Sequence, residues 1–591
     1  MVLLAVCLPL FFTAINSLPL LDPDEPRCAI VVRNMIRSGN WWVPMLDGGI
    51  YYDKPAPYFW LVGAAEILTG SGELAGRGVS ALSALLAVVV TWRLGRRIFG
   101  PQAGLLGAIM LASSGMFLFV ARWYRMDMPF TAAMWAALWF FWRGEDQRLK
   151  GQGSGWGGWL GFYICCGVAC LFKGIAGLGI PGIVVGGYLL LSGRPRRLFE
   201  VFHVRGLLGF SLVALPFYIS VCWSVPQYAQ QFFGQHTLAR FGAQTFGGAE
   251  EHGFPGVTYI AILLGGLLPW TTYLPGAYIR MFPRRWRLRN ASPAVMFLWL
   301  AALLPLIFFM FSKTKLPVYI LPVLAPLTIL MGALAVQWVQ SSQRDGMLKH
   351  GAISMMITVG GFVILLAVLE RLLGILSPAI ILPAVVAAAV IAAMIVALVR
   401  NRRGWVLILS VAGVMASFLY LIIHIAPAGY NKKSMRQLAR LIDPAEAKIA
   451  RYYYWSDENR SFEYYADPGF IEQLKTSPEH QARRKAIAAA ALQSDAPVYF
   501  FVTGKEALMQ LHAAGRVREL GHIGRRWLVT NHRQNQAPPA DTQPASQRAS
   551  APASAQGGHT SGKELAPETQ PMSKEGLNIL DWRLRHDAAG R

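Results

Sequence analysis

The chain passes directly from an apolar run, residues 1–21, into the charged sequence Asp22-Pro23-Asp24-Glu25-Pro26-Arg27. Three carboxylates within four residues therefore lie where a membrane-crossing segment would end. Placing one Asp at the centre of a membrane helix costs about 2.5–3.5 kcal/mol, so charged groups near hydrocarbon usually have a function. Closely spaced carboxylates also repel one another and offer no packing benefit. The cluster predicts a membrane protein whose chemistry takes place at this edge.

The composition agrees with a polytopic membrane protein. Of 591 residues, 54% are apolar and only 15% are charged, and the mean hydropathy is +0.39. One soluble domain would not have these values. The net charge of +23 comes largely from Lys and Arg in short loops between apolar runs, which is an orientation signal of membrane proteins and not a sign of nucleic-acid binding. The six cysteines show neither a disulfide framework nor the spacing of a metal-thiolate site.

Apolar runs long enough to cross a bilayer recur along most of the chain, since about 20 residues span the hydrocarbon core. We count thirteen, near 1–21, 76–98, 101–121, 126–143, 157–172, 174–192, 204–225, 257–279, 292–311, 316–339, 350–369, 377–399 and 404–425. The stretch from Pro55 to Gly70 is apolar but short and begins with two prolines. It is interpreted as a helix at the membrane interface.

The distribution of basic residues orients these spans. Alternate loops are rich in Arg and Lys, which predicts that they face the cytoplasm. These loops lie near 93–100, 143–156, 193–203, 280–291, 340–349 and 400–403. Residues 1–21 lack a basic leader and a small-residue cleavage site, so they are interpreted as an uncleaved first span, with a few residues before it outside this sequence. The sequence predicts thirteen spans with the C-terminus outside.

Three parts follow from this organisation. Residues 1–425 form the transmembrane part, with two long outer loops at 22–75 (the first outer loop) and 226–256. Residues 426–533 alternate charged helical stretches with strand-like runs at 498–502 and 526–529, which predicts a small α/β domain on the outer face. Residues 534–591 are mostly disordered by prediction, because 534–573 are rich in Pro, Ala, Ser and Gln.

The charges at the outer face are the candidates for chemistry. The carboxylates are Asp22, Asp24, Glu25, Asp53 and Asp127, and the cations are Arg27, Lys54, Arg122, Arg125, Lys173, Arg240, Lys313 and Lys315. Cations can bind a phosphate that departs as a leaving group, and a carboxylate can take a proton from an attacking hydroxyl. This set suits a lipid substrate that carries a phosphate. In the structural alternative the cations extend to the interface and the Asp–Arg pairs fix loops.

Several motifs resemble the glycosyltransferase family 39-type enzymes, which include the aminoarabinose lipid A transferases and the protein O-mannosyltransferases. In the first outer loop they are residues 22–27, Arg37-Ser38-Gly39-Asn40-Trp41 and Tyr52-Asp53-Lys54-Pro55-Ala56-Pro57-Tyr58-Phe59-Trp60. Later motifs, in the family's order, are Arg125-Met126-Asp127-Met128-Pro129, Phe172-Lys173-Gly174, His236 with Arg240-Phe241, Leu268-Pro269-Trp270 and Ser312-Lys313-Thr314-Lys315-Leu316-Pro317-Val318-Tyr319. The resemblance covers roughly residues 1–425.

The resemblance implies a GT-C fold of thirteen spans and an inverting transferase of the bacterial inner membrane. Such an enzyme takes a sugar from a polyprenyl-phosphate donor at the periplasmic face and passes it to a lipid, such as lipid A, or to a protein. Carried over by position, the catalytic residues are Asp24, the candidate acid/base, with Glu25 beside it, and Asp127, which resembles the family's second acidic site residue. The donor-phosphate residues are Arg27, Lys54, Arg240, Lys313 and Lys315, with Tyr319 lining the pocket. A lipid-linked donor also agrees with the absence of a glycine-rich nucleotide loop in the sequence.

Other aspects stay open at this point. No cofactor is implied with certainty, although Asp53 with His236 or His252 could bind a divalent metal. Cys28 stands where the aminoarabinose enzymes have Tyr, and Gln235 where they tend to have Glu, so the sugar and the acceptor are not identified. A transporter or flippase of lipid-linked sugars is the alternative function. It should carry ionisable groups near mid-span, whereas here they collect at one face.

Overall fold

The computed structural model of the protein describes residues 1–531 apart from 193–194, 239–253, 283–291, 313–314, 342–345, 376–377, 456, 469–470, 475–480 and 516. Within these residues the chain is mainly helical. The helices up to residue 224 are α1 (Val2–Phe12), α2 (Asp24–Ser38), α3 (Ala56–Thr69), α4 (Gly72–Phe99), α5 (Pro101–Ala112), α6 (Gly115–Ala121), α7 (Asp127–Leu149), α8 (Trp156–Lys173), α9 (Ala176–Leu191) and α10 (Val204–Ser224). The next ones are α11 (Thr258–Gly266), α12 (Leu274–Met281), α13 (Pro293–Phe311), α14 (Leu324–Gln340), α15 (Gly346–Leu373), α16 (Ile381–Val399) and α17 (Arg403–Tyr420).

The protein is a multi-pass membrane protein, as the sequence predicted. Seven described helices are long and apolar enough to cross a membrane, or up to nine if two bent pairs each count as one span. The seven are Gly72–Phe99, Trp156–Lys173, Val204–Ser224, Pro293–Phe311, Pro317–Gln340, Pro378–Val399 and Arg403–Lys433. Every one of the thirteen apolar runs overlaps a helical segment, but the number of thirteen spans remains a prediction.

Two helical breaks contact each other inside the bundle. Helices α5 and α6 are bent by 67°, and α11 is bent by 107° relative to the segment Trp270–Met281. The backbone N–H of Gly115 donates to the carbonyl of Leu268 at 2.9 Å, and the indole N–H of Trp270 donates to Ser113 Oγ at 3.0 Å. Each bend therefore satisfies backbone and side-chain groups of the other, which is how broken helices are tolerated at membrane depth.

The first outer loop contains two helices and a hairpin. Helix α2 is followed by the short strands β1 (Met45–Leu46) and β2 (Gly49–Ile50), which pair antiparallel, and then by α3. The sequence predicted a helix between Pro55 and Gly70, and α3 confirms it. Its 14 residues extend only about 21 Å, which is too short to cross the hydrocarbon core. The described part of the second outer loop holds a π-helical segment, Gln230–Leu238.

The C-terminal part is a five-stranded mixed sheet with helices on both faces. Helix α18 (Ala426–Lys433) continues the last membrane helix. The helices that follow are α19 (Arg436–Ala439), α20 (Pro444–Ala447), α21 (Arg460–Ala466), α22 (Gln481–Leu492) and α23 (Lys505–Ala514). The strands are β3 (Arg451–Tyr454), β4 (Ile471–Gln473), β5 (Val498–Thr503), β6 (Arg518–Ile523) and β7 (Arg526–Thr530), in the order β4-β3-β5-β7-β6.

Alternating residues of the central strand cover the two faces of this sheet. Val498 and Phe500 of β5 pack with α22 and α23, whereas Tyr499 and Phe501 pack with α19 and α21. Strands β5 and β7 coincide with the two strand-like runs that the sequence predicted. The division into parts ending at residues 425 and 533 stays a prediction, and the predicted tail, 534–591, lies outside the described residues.

Helix α4 closely approaches the loop between α6 and α7 at Gly76. A Cβ on Gly76 would lie 2.1 Å from the ring of Tyr124. We therefore expect Gly76→Ala to destabilise the protein by about 1–3 kcal/mol, because the ring must move out of a packed interior. The measurement is the unfolding midpoint in detergent. Gly78→Ala is the matched control, since its Cβ meets nothing within 4 Å and alanine favours the helix. Equal midpoints for both variants would contradict the prediction.

Candidate active site

Asp24 lies at the start of α2, where the first outer loop leaves the end of the first apolar run. Pro26 is tolerated in this first turn because its missing N–H has no intrahelical partner there, and a carboxylate at a helix N-terminus is stabilised by the helix dipole. Gly39, with φ of 68°, ends the helix in the left-handed conformation that glycine adopts readily. The sequence thus fixes where the helix begins and ends.

Four charged side chains form a continuous chain of ion pairs at this position. Arg125 Nη1 lies 2.8 Å from Asp24 Oδ2, and Arg125 Nε lies 3.0 Å from Asp127 Oδ2. Lys173 Nζ lies 2.5 Å from Asp127 Oδ1. The Asp24 side chain is 31% exposed, but that of Asp127 is only 2% exposed. Asp24 is therefore the open end of the chain, and Asp127 is its buried centre.

Three separate elements supply the other members of this chain of ion pairs. Arg125 lies in the short loop between α6 and α7, Asp127 is the first residue of α7, and Lys173 is the last residue of α8. Lys173 Nζ lies 4.8 Å from the centre of the Tyr319 ring, and the guanidinium of Arg125 lies 4.6 Å from the ring of Trp123. Such cation–aromatic contacts fix the positions of the cations. The structure thus brings Tyr319 to this cluster, and its role in lining a donor-phosphate pocket stays a prediction.

Lys54 and Arg27 lie beside the same cluster. Lys54 Nζ lies 2.8 Å from Asp53 Oδ2, and Asp53 also accepts a hydrogen bond from the Tyr51 hydroxyl at 3.2 Å. Arg27 is half-buried, and none of the residues described for this chain forms an ion pair with it. A guanidinium with donors to spare is suited to bind an anion.

Cys28 lies among these charges. Burial raises the pKa of its thiol to about 12, against the opposing effect of Arg125. Arg27 and Lys54 are also close enough to act on the same group. The thiol is therefore neutral at physiological pH and cannot act as a nucleophile. Arg27, Lys54 and Arg125 therefore all lie near the Cys28 thiol.

Glu25 differs from its neighbour because its carboxylate is fully enclosed. Arg77 donates to both oxygens, at 2.9 Å and 2.7 Å, and the backbone N–H groups of Leu21 and Tyr124 donate at 2.8 Å and 3.0 Å. Arg77 is 1% exposed and also binds the carbonyls of residues 15, 18 and 19. The sequence analysis missed Arg77, although an arginine at the start of an apolar run is a signal of a specific partner. The Glu25 carboxylate is therefore enclosed and fully hydrogen-bonded, unlike that of Asp24, and its assignment as an acidic site residue stays a prediction.

The remaining predicted residues are described only in part. Lys315 is half-buried next to Leu316, whose carbonyl accepts a hydrogen bond from Tyr259 at 3.0 Å. Arg122 is buried and binds the carbonyls of Leu10, Phe11 and Thr13 at the end of α1, so its hydrogen bonds are used within the fold. Arg240, Lys313 and His252, and the side chain of His236, lie outside the described residues.

The metal prediction stays untested for the same reason. Among the residues that the structure describes, no group of three or more His, Cys, Asp or Glu could bind a metal ion. His252 and the side chain of His236 lie outside those residues. A divalent metal therefore remains a prediction from the sequence.

Comparison with known proteins supports the resemblance. The family model of dolichyl-phosphate-mannose-protein mannosyltransferases matches residues 53–223. The undecaprenyl phosphate-alpha-4-amino-4-deoxy-L-arabinose arabinosyl transferase of Edwardsiella ictaluri is 32% identical over 349 residues, covering 59% of this chain and 61% of that protein. The enzyme of the same name from Aeromonas hydrophila is 34% identical over 344 residues, covering 56% and 59%. The alignments thus span about 60% of the length of these relatives.

A solved structure extends the likeness over nearly the whole fold. The crystal structure of ArnT from Cupriavidus metallidurans bound to undecaprenyl phosphate superposes with a TM-score of 0.72 at 22% identity. The superposition covers 90% of this chain and 97% of that one, so the two share a fold. The resemblance of the chain to the GT-C glycosyltransferases, and among them to the aminoarabinose transferases, is confirmed.

Proposed function

We propose that the protein is an inverting membrane glycosyltransferase of the bacterial inner membrane. It moves a sugar from a polyprenyl-phosphate donor to a lipid acceptor, such as lipid A, or to a protein, at the periplasmic face. The observation that supports this most directly is the partly exposed Asp24 carboxylate, fixed at 2.8 Å from Arg125 and near Arg27, which pairs with no carboxylate among the described residues. The names and bound lipid of the relatives agree with such a donor.

The reaction follows from the roles of these side chains. The acceptor oxygen bonds to the anomeric carbon and gives its proton to Asp24, which acts as general base. The bond between that carbon and the phosphate oxygen breaks, and its electron pair leaves with the polyprenyl phosphate. Lys54, Arg27 and Lys315 stabilise the added negative charge, and we assign Arg240 and Lys313 to the same phosphate. A single displacement of this kind inverts the anomeric centre.

The two acidic partners of this step have different tasks. Asp127 is enclosed between Arg125 and Lys173, so we propose that it positions Arg125 and thereby Asp24. Glu25 is enclosed by Arg77, and we propose that it fixes the loop on which Asp24 stands. Proton transfer then belongs to Asp24, whose carboxylate is open to an acceptor.

A reconstituted assay separates this proposal from the transporter alternative. Protein in vesicles receives a polyprenyl-phosphate sugar labelled in the sugar, with lipid A as acceptor. A transferase releases free polyprenyl phosphate and places the label on the acceptor. A transporter moves the intact labelled lipid across the bilayer, and that result would overturn the proposal.

Lys54 is expected to contribute to donor binding. Lys54→Met should raise the dissociation constant for polyprenyl phosphate by about 10-fold or more, because a hydrogen bond to a charged group contributes about 1.5–3 kcal/mol. Titration of the purified protein with the lipid phosphate measures this. Lys150→Met is the matched control, since Lys150 pairs with Asp146 at the far end of α7. An unchanged constant for the Lys54 variant would remove Lys54 from the phosphate site.

A further inference from the structure

The C-terminal part contacts the first outer loop through α21, close to Asp24. The backbone N–H of Ser461, near the start of α21, donates to Asp22 Oδ1 at 3.0 Å. The hydroxyl of Tyr465 accepts a hydrogen bond from the backbone N–H of Leu20 at 2.7 Å. Both bonds end on residues that immediately precede Asp24, so α21 fixes the approach of the chain to the N-terminus of α2.

The other end of α21 binds the other end of α2. Asp467 follows α21 directly and accepts two hydrogen bonds from Arg37, at 2.8 Å and 2.5 Å. Its carboxylate also lies 2.7 Å from Arg33 Nη1. Arg33 and Arg37 are four residues apart and share one face of α2. The start of α21 thus contacts the start of α2, and the end of α21 contacts the end of α2. The two helices therefore run side by side in the same direction.

A third contact joins α21 to the hairpin before Lys54. The guanidinium of Arg460 binds both oxygens of Asp47, with Nη2 to Oδ2 at 2.7 Å. Asp47 lies in the turn between β1 and β2, seven residues before Lys54. The same short helix therefore contacts the segments that carry the proposed base and the proposed phosphate-binding lysine.

We propose that α21, with Asp467 at its end, is a positioning element for Asp24, and that this is a function of the C-terminal α/β part. The proposal rests on the proposed transferase function. The partners are separated by 430 residues or more at both ends of α2, so the chain itself cannot hold them together. Because a displacement of about 1 Å at a reacting group can lower a rate about 10²-fold, two fixed ends of α2 determine whether Asp24 meets the acceptor.

The test is a substitution far from the reacting atoms. Asp467 lies at the end of α2 opposite Asp24, about 20 Å away by helix length, and its side chain is 40% exposed. Asp467→Asn suits the left-handed backbone, where φ is 48°, and asparagine tolerates that conformation. Arg37→Gln removes the same pair from the other side. Asp495→Asn, an exposed position on the α/β part, is the matched control.

Two measurements on the full-length protein in vesicles distinguish a role in positioning Asp24 from a role that only stabilises the fold. We expect both variants to lower kcat for sugar transfer by about 10-fold while KM for the donor stays within about twofold, since the reacting geometry changes and not the binding site. Amide hydrogen exchange of residues 24–38 should become faster in both variants and stay unchanged in Asp495→Asn. The double variant should be no slower than either single one.

Each outcome decides the matter. Wild-type kcat in Asp467→Asn and Arg37→Gln overturns the positioning role, and so does a lower kcat with unchanged exchange in α2. A lower protein yield with a normal kcat per folded molecule shows that the contact only stabilises the fold, and this result also overturns the positioning role. If the wild-type protein transfers no sugar, the proposed function fails, and the exchange measurement still shows whether α21 fixes α2.

Discussion

Asp24→Asn is expected to lower sugar transfer by about 10² or more, the contribution of a positioned general base. Asparagine keeps the shape of the side chain, and its carbonyl can still accept the hydrogen bond from Arg125 that the structure shows at 2.8 Å. It cannot take a proton from the acceptor. The loss should therefore appear in kcat, with donor binding nearly unchanged.

The measurement is transfer of labelled sugar from a polyprenyl-phosphate donor, normalised to folded protein. Asp495→Asn, which changes an exposed carboxylate away from the site, should transfer at the wild-type rate. Binding of polyprenyl phosphate to Asp24→Asn provides a second check, because in the proposed mechanism the cations, and not Asp24, bind the lipid phosphate. Retained transfer would remove Asp24 from the proposed mechanism, and lost binding would show that the variant disturbs the whole loop.

Local patterns were enough to predict most of the helices, because apolar runs indicated the membrane segments. The motifs of the resemblance named Asp24, Asp127, Lys54 and Tyr319, and the structure brings these residues into or beside one cluster, while their roles stay predictions. Residues 1–21 nevertheless read as one continuous span, whereas α1 ends at Phe12. The guanidinium of Arg122 binds the last free carbonyls of that helix, and its distance along the sequence hides this contact from any spacing rule.

Pairings between distant residues were the part that the sequence did not reveal. Ser113-Ser114-Gly115 lies at the 67° bend of the run at 101–121 and is the kind of sequence at which helices kink, but nothing in the run shows that the carbonyl of Leu268 satisfies the backbone there. Charge repulsion among Asp22, Asp24 and Glu25 suggested shared chemistry. In the structure the three carboxylates have separate partners, Ser461, Arg125 and Arg77. Hydropathy and charge counts indicate which groups need partners, but only the fold determines which residues become those partners.

Arg77→Met is expected to have the largest effect on stability, about 3–5 kcal/mol, because it leaves the carboxylate of Glu25 charged and without its cation in a closed interior. Neither side chain is more than 1% exposed, so water cannot replace the lost bonds. Methionine is close to arginine in length and fills the space, which separates the loss of charge from a cavity. The measurement is reversible unfolding by denaturant in detergent.

Two further variants make this prediction specific to the ion pair. In the double variant Glu25→Gln with Arg77→Met, the buried charge is gone and the amide oxygen still accepts a backbone N–H, so we expect it to unfold later than Arg77→Met alone. Arg93→Met changes an exposed arginine on the same helix and should cost no more than about 1 kcal/mol, the value of its contact with Trp139. If Arg77→Met unfolds like Arg93→Met, the pair does not stabilise the loop, and Glu25 returns as a candidate for proton transfer beside Asp24.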